Sequence, residues 1–222
     1  KSGTIAIGGT NLFASYVLPP LLSRFTEQYP QVQVNLVEAT TSQLTDRLFS
    51  GSLDLLIDNK SMDPAIYQKS FFCEEHLLLA VPIRLSVNEK MKNYALTASD
   101  IRENRHLNSR IPPVPLENFQ EESFLLLKSG NDTRTRADRI CHNAHVIPKI
   151  KLELDQQITA YNLSRYGMGI SFCSDTLVRH VPDAGGLVYY KLNHQDALRD
   201  VNFYYKRNRY MPRIVSTFLD MI

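Results

Sequence analysis

Apolar residues along the first 60 positions form two patterns. In some segments they are consecutive, and in others they recur every three or four residues. Residues 4–8, 32–38 and 53–57 form apolar runs typical of buried strands. Between them, residues 18–29 and 41–50 place apolar side chains on one face of a helix. This alternation of strand and helix predicts a parallel sheet with helices packed on its faces.

The same kind of alternation returns later in the chain. Strands are predicted at residues 123–127, 150–154 and 169–173, with helices at 133–144 and 156–166 between them. Further apolar strands are expected at 76–81, 187–192 and 201–207, and a last helix places Ile214, Val215, Phe218 and Leu219 on one face. Two such blocks separated by about 60 residues predict two α/β sub-domains.

Hydroxyl side chains collect where the predicted strands pass into helices. Thr40, Thr41 and Ser42 lie at one junction, and Thr40 with Gln43 matches a capping box that satisfies helix N–H groups. The alternative is a ligand site, because a helix N-terminus favours an anion. Thr10 with Asn11, and residues 129–133, form similar junctions. Three junctions of one kind favour a binding cleft at the carboxyl ends of the strands.

Composition narrows the function classes. The chain has 222 residues, 43% hydrophobic and 22% charged, with a net charge of +2. This charge is too small to favour nucleic acid or membrane electrostatics, and no apolar run approaches the roughly 20 residues of a membrane span. Its three cysteines form no CxxC pair, which favours reduced, buried thiols.

Catalytic and metal-binding patterns are weak. Six histidines are scattered, and no hydrolase, zinc-protease or phosphate-loop motif occurs. His142 and His145 are predicted three residues apart on one helix beside Cys141, and an ordinary surface pair is favoured over a metal site there. We therefore predict no enzyme activity, no cofactor and no metal.

Four segments resemble the effector-binding domain of LysR-type transcriptional regulators. The first 57 residues carry the most specific part, and an apolar strand ending in Pro82 is similar to the family's hinge region. The segments are GTIAIG at 3–8, LPPLLSRF at 18–25, LFSGSLDLLI at 48–57 and GMGI at 167–170. The resemblance covers nearly the whole chain in order.

The resemblance implies the periplasmic-binding-protein type II fold: two α/β sub-domains joined by two crossover strands, with an interdomain cleft. Sub-domain I would comprise residues 1–75 and 205–222, and sub-domain II residues 76–204, with an insertion at about 92–113. The winged helix-turn-helix of full-length regulators is expected to lie outside this chain. The alternative is a transport-type solute-binding protein of the same fold.

The resemblance also implies partners and site residues. We expect a cytoplasmic homodimer or tetramer that binds a small polar or carboxylate effector, contacts DNA only through the missing domain, and does not contact a membrane. Asp132 departs from the family pattern; it would either cap its helix or repel an anion. The expected effector-binding residues are Thr10, Asn11, Leu12, Thr40, Thr41, Ser129, Gly130, Asn131, Thr133, Gln157 and Ile158.

Overall fold

The structure, a computed structural model, describes residues 2–222 and divides the chain into two compact units. The first unit comprises the chain up to Glu74 together with Asp200–Ile222, and the second unit comprises Glu75–Arg199. Strands β4 (Tyr67–Pro82) and β9 (Leu198–Lys206) each contain residues of both units. These strands carry the chain from one unit to the other.

The first unit is built on a sheet with three parallel strands. Strand β1 (Ser2–Gly9) pairs in parallel with β2 (Gln31–Glu38) and β3 (Leu55–Asp58). Strand β9 adds to β3 in the antiparallel direction. The helical segments of this unit are a π-helix at Phe13–Val17, α1 at Leu18–Gln28, α2 at Thr41–Ser50 and α8 at Arg213–Met221.

Local sequence signals explain these helices. Pro19 and Pro20 occupy the first turn of α1, where the missing proline N–H groups cost no hydrogen bond. Gly51 ends α2 in a left-handed conformation with φ +87°, as a C-terminal cap requires. Phe25 of α1 and Phe218 of α8 pack edge to face in the core, with ring centroids 5.2 Å apart.

The second unit contains two groups of strands. In one, β4 pairs antiparallel with both β7 (Ser171–Ser174) and β8 (Leu187–Lys191). In the other, β5 (Ser123–Leu127) and β6 (Lys149–Leu154) pair in parallel. The helices that accompany them are α5 at Asp132–Asn143, α6 at Gln157–Arg165 and α7 at Asp175–His180.

The segment between β4 and β5 consists of short helical turns that pack on the rest of the second unit. Val114 donates its backbone N–H to Lys191, and Leu96 forms a bridge with Tyr189, so both ends of the predicted insertion contact β8. Phe119 is fully buried in the same core. The turns are α3 at Val87–Lys90, α4 at Ala98–Arg102, and 3-10 segments at Lys92–Tyr94, Arg105–Leu107 and Leu116–Phe119.

Several strand boundaries differ from the prediction, and the largest difference is at the start of β4. Strand β4 begins at Tyr67, nine residues before the predicted apolar run, because most positions in this half of the strand are polar or exposed rather than continuously apolar and buried. Strand β3 begins at Leu55, because Leu53 donates its N–H to Arg47 at the end of α2. None of the helices within residues 2–222 combines the length and apolar character needed to cross a bilayer.

Candidate functional site

Three parallel strands of the first unit end at one edge of its sheet. Gly9 of β1 lies beside Glu38 of β2, and β3 ends at Asp58 on the other side of β1. Thr10 directly follows the end of β1, and Thr41 lies three residues after the end of β2. The parallel register therefore brings the predicted residues of this unit to the same edge.

The hydroxyl of Thr40 caps the N-terminus of α2. Its Oγ1 accepts from the backbone N–H of Gln43 at 3.2 Å, and the Gln43 side chain accepts from the backbone N–H of Thr40 at 3.2 Å. The capping box predicted from the sequence is therefore confirmed. Leu12 is buried, with 8% of its surface exposed, whereas Thr10 and Asn11 are half-buried.

Two other polar side chains at this edge donate to carboxylates. Thr41 Oγ1 donates to Asp58 Oδ2 at 3.2 Å, and Asn11 Nδ2 donates to Glu38 Oε1 at 3.3 Å. Asp58 is 3% exposed, and its Oδ1 accepts the backbone N–H of Lys60 at 2.8 Å. Asp58 was not predicted as a site residue, although an acidic residue at the end of an apolar strand was a signal for it.

In the second unit, the predicted residues 129–133 lie in the loop before α5 and in the first turn of that helix. Ser129 and Gly130 are exposed, and Gly130 has φ +92°. The side chain of Asn131 caps α5 by accepting from the N–H of Thr133 at 2.8 Å and of Arg134 at 3.4 Å. The interpretation of Asp132 as the cap is wrong, because Asn131 occupies that position.

Asp132 instead belongs to an ion-pair network. Its Oδ2 accepts from Arg136 Nε at 2.8 Å and from Arg199 Nη1 at 3.3 Å. Arg199 also donates to Glu75 Oε1 at 2.6 Å and to the buried hydroxyl of Thr133 at 3.1 Å. Two arginines therefore balance two carboxylates, so Asp132 presents no unbalanced negative charge.

The arginines of α5 differ in their surroundings. Only 12% of the Arg134 side chain and 15% of the Arg136 side chain are exposed, and both form ion pairs, so neither is a freely solvated surface arginine. Arg139 is 63% exposed. On α6, Gln157 Oε1 accepts from the backbone N–H and the hydroxyl of Ser174, and Ile158 is half-buried.

A buried histidine–carboxylate cluster was not predicted. Asp175 Oδ2 lies 2.9 Å from His106 Nε2 and 3.2 Å from His76 Nδ1, and Asp175 Oδ1 accepts the backbone N–H of His76 at 2.9 Å. Burial opposes ionisation of Asp175, but the bonds from His106 and His76 outweigh it and lower the pKa of this carboxyl below its usual value. The three residues are 30 to 99 positions apart in the chain, so no local motif identifies them.

This cluster is the group within residues 2–222 whose spacing could suit a metal ion, since one atom of each residue lies within 4.8 Å of the others. The Arg179 guanidinium approaches both Asp175 Oδ2 and His106 Nε2 at 3.5 Å. The positive charge of Arg179 disfavours a metal cation at the same place, because like charges repel. The arrangement is therefore a hydrogen-bonded network that links β4, the segment 83–122 and α7.

His142 and His145, expected three residues apart on one helix, do not lie on the same helix. Helix α5 ends at Asn143, and His145 lies beyond it with φ +57°, while His142 and His145 are both exposed. The cysteines are free thiols, with Cys141 and Cys173 buried. Burial raises the pKa of the Cys141 thiol to about 12 and raises that of Cys173 as well.

A separate surface cavity of about 450 Å³ lies in the first unit beside the turn after β9. The cationic side chains that line the cavity donate hydrogen bonds to backbone carbonyls. Lys206 donates to the carbonyl of Phe49, Arg207 to that of Pro64 and Arg209 to that of Leu53. The cavity contains none of the predicted effector residues.

Comparison with known proteins assigns the chain to a family. The profile of the LysR substrate binding domain matches residues 1–222. The uncharacterized HTH-type transcriptional regulator YcgK of Bacillus subtilis (strain 168) is 25% identical over 217 residues, which cover 98% of this chain and 65% of that protein. The chain thus spans about two thirds of the length of this relative.

Solved structures share the fold. The cofactor-binding domain of the Cbl transcriptional regulator superimposes with a TM-score of 0.79 at 20% identity, over 100% of this chain and 88% of that one. The Synechocystis PCC6803 CcmR regulatory domain, in complex with 2-PG, gives 0.80 at 20% identity, over 99% and 95% of the two chains. The predicted fold class is confirmed.

Proposed function

Because the chain belongs to the LysR substrate-binding domain family, we propose that it senses a small polar effector for a LysR-type transcription regulator. The family consists of regulator domains and not of enzymes. The same family match favours a regulator domain over a transport-type solute-binding protein. DNA would be bound by a separate winged helix-turn-helix domain of the full protein.

The observation that carries the proposal is the shared edge of β1, β2 and β3, where half-buried polar side chains follow the strand ends. Ligands of open α/β sheets bind beyond the carboxyl ends of the strands. We propose that Thr10, Asn11 and Thr41 bind the effector, and that the loop at 129–133 and the start of α6 also contribute. The CcmR domain, which has the same fold, was solved with 2-PG.

Replacing Thr41 with valine tests this assignment. Valine keeps the shape of the side chain but removes the hydroxyl, and a hydrogen bond to a charged group contributes about 1.5–3 kcal/mol. Effector affinity measured by calorimetry should fall roughly tenfold or more. Ser50→Ala, at the other end of α2, removes an exposed hydroxyl as a control and should leave affinity unchanged. Equal affinities for wild type and Thr41→Val would remove Thr41 from the site.

We also propose that the domain forms a homodimer in which α1 of one chain contacts α5 of the other. Arg24 and Gln28 of α1 are exposed and available for such a contact. Light scattering at micromolar concentration should give twice the monomer mass. A monomer mass would contradict this pairing without affecting the family assignment.

A further inference from the structure

The surface cavity beside the turn after β9 lies at the opposite edge of the first unit's sheet from the strand-end residues. Strand β9 runs antiparallel to β3, so its last residue, Lys206, lies near the start of β3. Helix α2 begins at Thr41, beside the carboxyl ends of the strands, and its last residue, Ser50, lines the cavity. A helix of 10 residues is about 15 Å long, so the cavity is distinct from the candidate effector site.

Three cationic side chains line this cavity, and no carboxylate among residues 2–222 forms an ion pair with any of them. Each donates one hydrogen bond to a backbone carbonyl, from Lys206 at 2.7 Å, Arg207 at 3.0 Å and Arg209 at 3.3 Å. Asp54 lines a smaller neighbouring pocket with Lys206 and Arg209, and its Oδ2 accepts the backbone N–H of Ala6. The cavity therefore has an excess of positive charge.

The two guanidinium groups retain donors for a ligand. A guanidinium carries five N–H donors. Arg207 uses only Nε and Arg209 only Nη1, so their other side-chain nitrogens have no hydrogen-bond partner within residues 2–222. Arg207 is half-buried and Arg209 is exposed. A bond to a carbonyl needs one neutral donor from each residue, so holding the turn does not account for the positive charges.

Arg209 is also held in position. Its guanidinium lies against Gly51, where an added Cβ would come within 2.9 Å of Nη1, and it bonds to the carbonyl of Leu53. A side chain that is already ordered loses less conformational freedom when a ligand binds. The arrangement therefore favours binding of an anion over a freely moving surface charge.

We propose that this cavity binds the phosphate group of a small organic molecule, with Arg207 and Arg209 as the donors. Guanidinium groups match phosphate oxygens in geometry and form charge-assisted hydrogen bonds with them. The cavity volume of about 450 Å³ lies within the range of small-molecule sites, roughly 300–1,000 Å³. The inference goes beyond the proposed function, because it concerns a second site at the other edge of the sheet.

Two aromatic side chains provide apolar surface for the organic part of the ligand. Tyr210 is 82% exposed and Phe49 is 53% exposed, and both line the cavity. Lys206 Nζ lies 4.2 Å from the centroid of the Phe49 ring, which places a third positive charge beside this surface. A ligand that carried only the phosphate would leave the aromatic surface uncovered.

An NMR titration in buffer free of phosphate and sulfate tests the proposal at the backbone amides of residues 49–51 and 206–210. The probes are AMP and glucose 6-phosphate, and adenosine and glucose are the matched compounds without phosphate. Both phosphate esters should shift these amide signals, whereas adenosine and glucose should not. Inorganic phosphate should bind more weakly than AMP, because it lacks a part that covers the aromatic side chains.

Substitution of each arginine by glutamine removes the charge but keeps a side-chain N–H donor. Arg207→Gln and Arg209→Gln should each weaken AMP binding by about tenfold or more, because a hydrogen bond between charged groups is lost. Arg213→Gln is the matched control, since Arg213 is an exposed arginine of α8 that does not line the cavity. The control should bind AMP as the wild type does.

Several results would overturn the inference. These are equal shifts from AMP and adenosine, equal affinity for AMP and inorganic phosphate, and unchanged AMP affinity in either arginine variant when its spectrum shows that it is folded. The absence of shifts at residues 49–51 and 206–210 with both esters, or shifts confined to residues 10–12 and 40–42, would overturn it as well. None of these results contradicts the proposed function, which concerns the strand-end residues.

Discussion

Replacing Asp175 with asparagine should destabilise the second unit, because Asp175 holds two histidines from distant parts of the chain. Its Oδ2 accepts from His106 at 2.9 Å and from His76 at 3.2 Å, and Asp175 is 1% exposed. Asparagine retains one oxygen for the backbone N–H of His76 and places a donor against the two rings. Two charge-assisted bonds at about 1.5 kcal/mol each amount to about 3 kcal/mol.

Urea unfolding followed by circular dichroism measures this loss. Asp183→Asn is the matched control, because Asp183 is exposed in the same unit and its contact, the N–H of Gly185, survives the change. The control should lie within about 0.5 kcal/mol of the wild type, as surface changes usually do. If Asp175→Asn were no less stable than the control, the network would not hold the fold as described.

The same variant should alter the dependence of stability on pH. The pKa of Asp175 is lower in the folded protein than in the unfolded chain, so its contribution is present above the unfolded value, about 4, and is lost as the pH falls below it. Wild-type stability should therefore decrease more steeply below about pH 4 than that of Asp175→Asn. Parallel curves would show that Asp175 is not the group responsible.

Two further substitutions and one labelling experiment test local features. Thr40→Ala removes the capping box of α2 and should cost about 1 kcal/mol in urea unfolding, whereas no loss would contradict the cap. Gly169→Ala places a Cβ 2.8 Å from the backbone oxygen of Ser123 and should cost about 1–3 kcal/mol; a neutral result would show that this contact relaxes. Cys141 and Cys173 should react with a thiol reagent only after unfolding, because burial keeps them protonated, and rapid native labelling would refute this.

Features set by short stretches of chain were predictable from the sequence. The strand-helix alternation, the Thr40 capping box and the end of α2 at Gly51 depend on neighbouring residues and were predicted correctly. Asn131 rather than Asp132 caps α5, because both residue types suit that position and only the backbone geometry decides between them.

Contacts between distant residues were not predictable. Thr41 and Asp58 are 17 positions apart, and His76 and Asp175 are 99 apart. The sequence therefore identified hydroxyls at the strand ends but not Asp58, the carboxylate to which the Thr41 hydroxyl donates. It also did not show that His76 and His106 meet at Asp175. A side chain's partner follows from the register of the sheet, which a single sequence does not contain.

Hydrogen exchange of the domain, with and without the small-molecule extract, tests the central claim most directly. An effector bound by the predicted residues should slow exchange at residues 10–12, 40–42, 129–133 and 157–158 together, whether or not residues 206–210 beside the surface cavity are also protected. Protection confined to residues 206–210, or protection that leaves the strand-end segments unaffected, would contradict the assignment of the site.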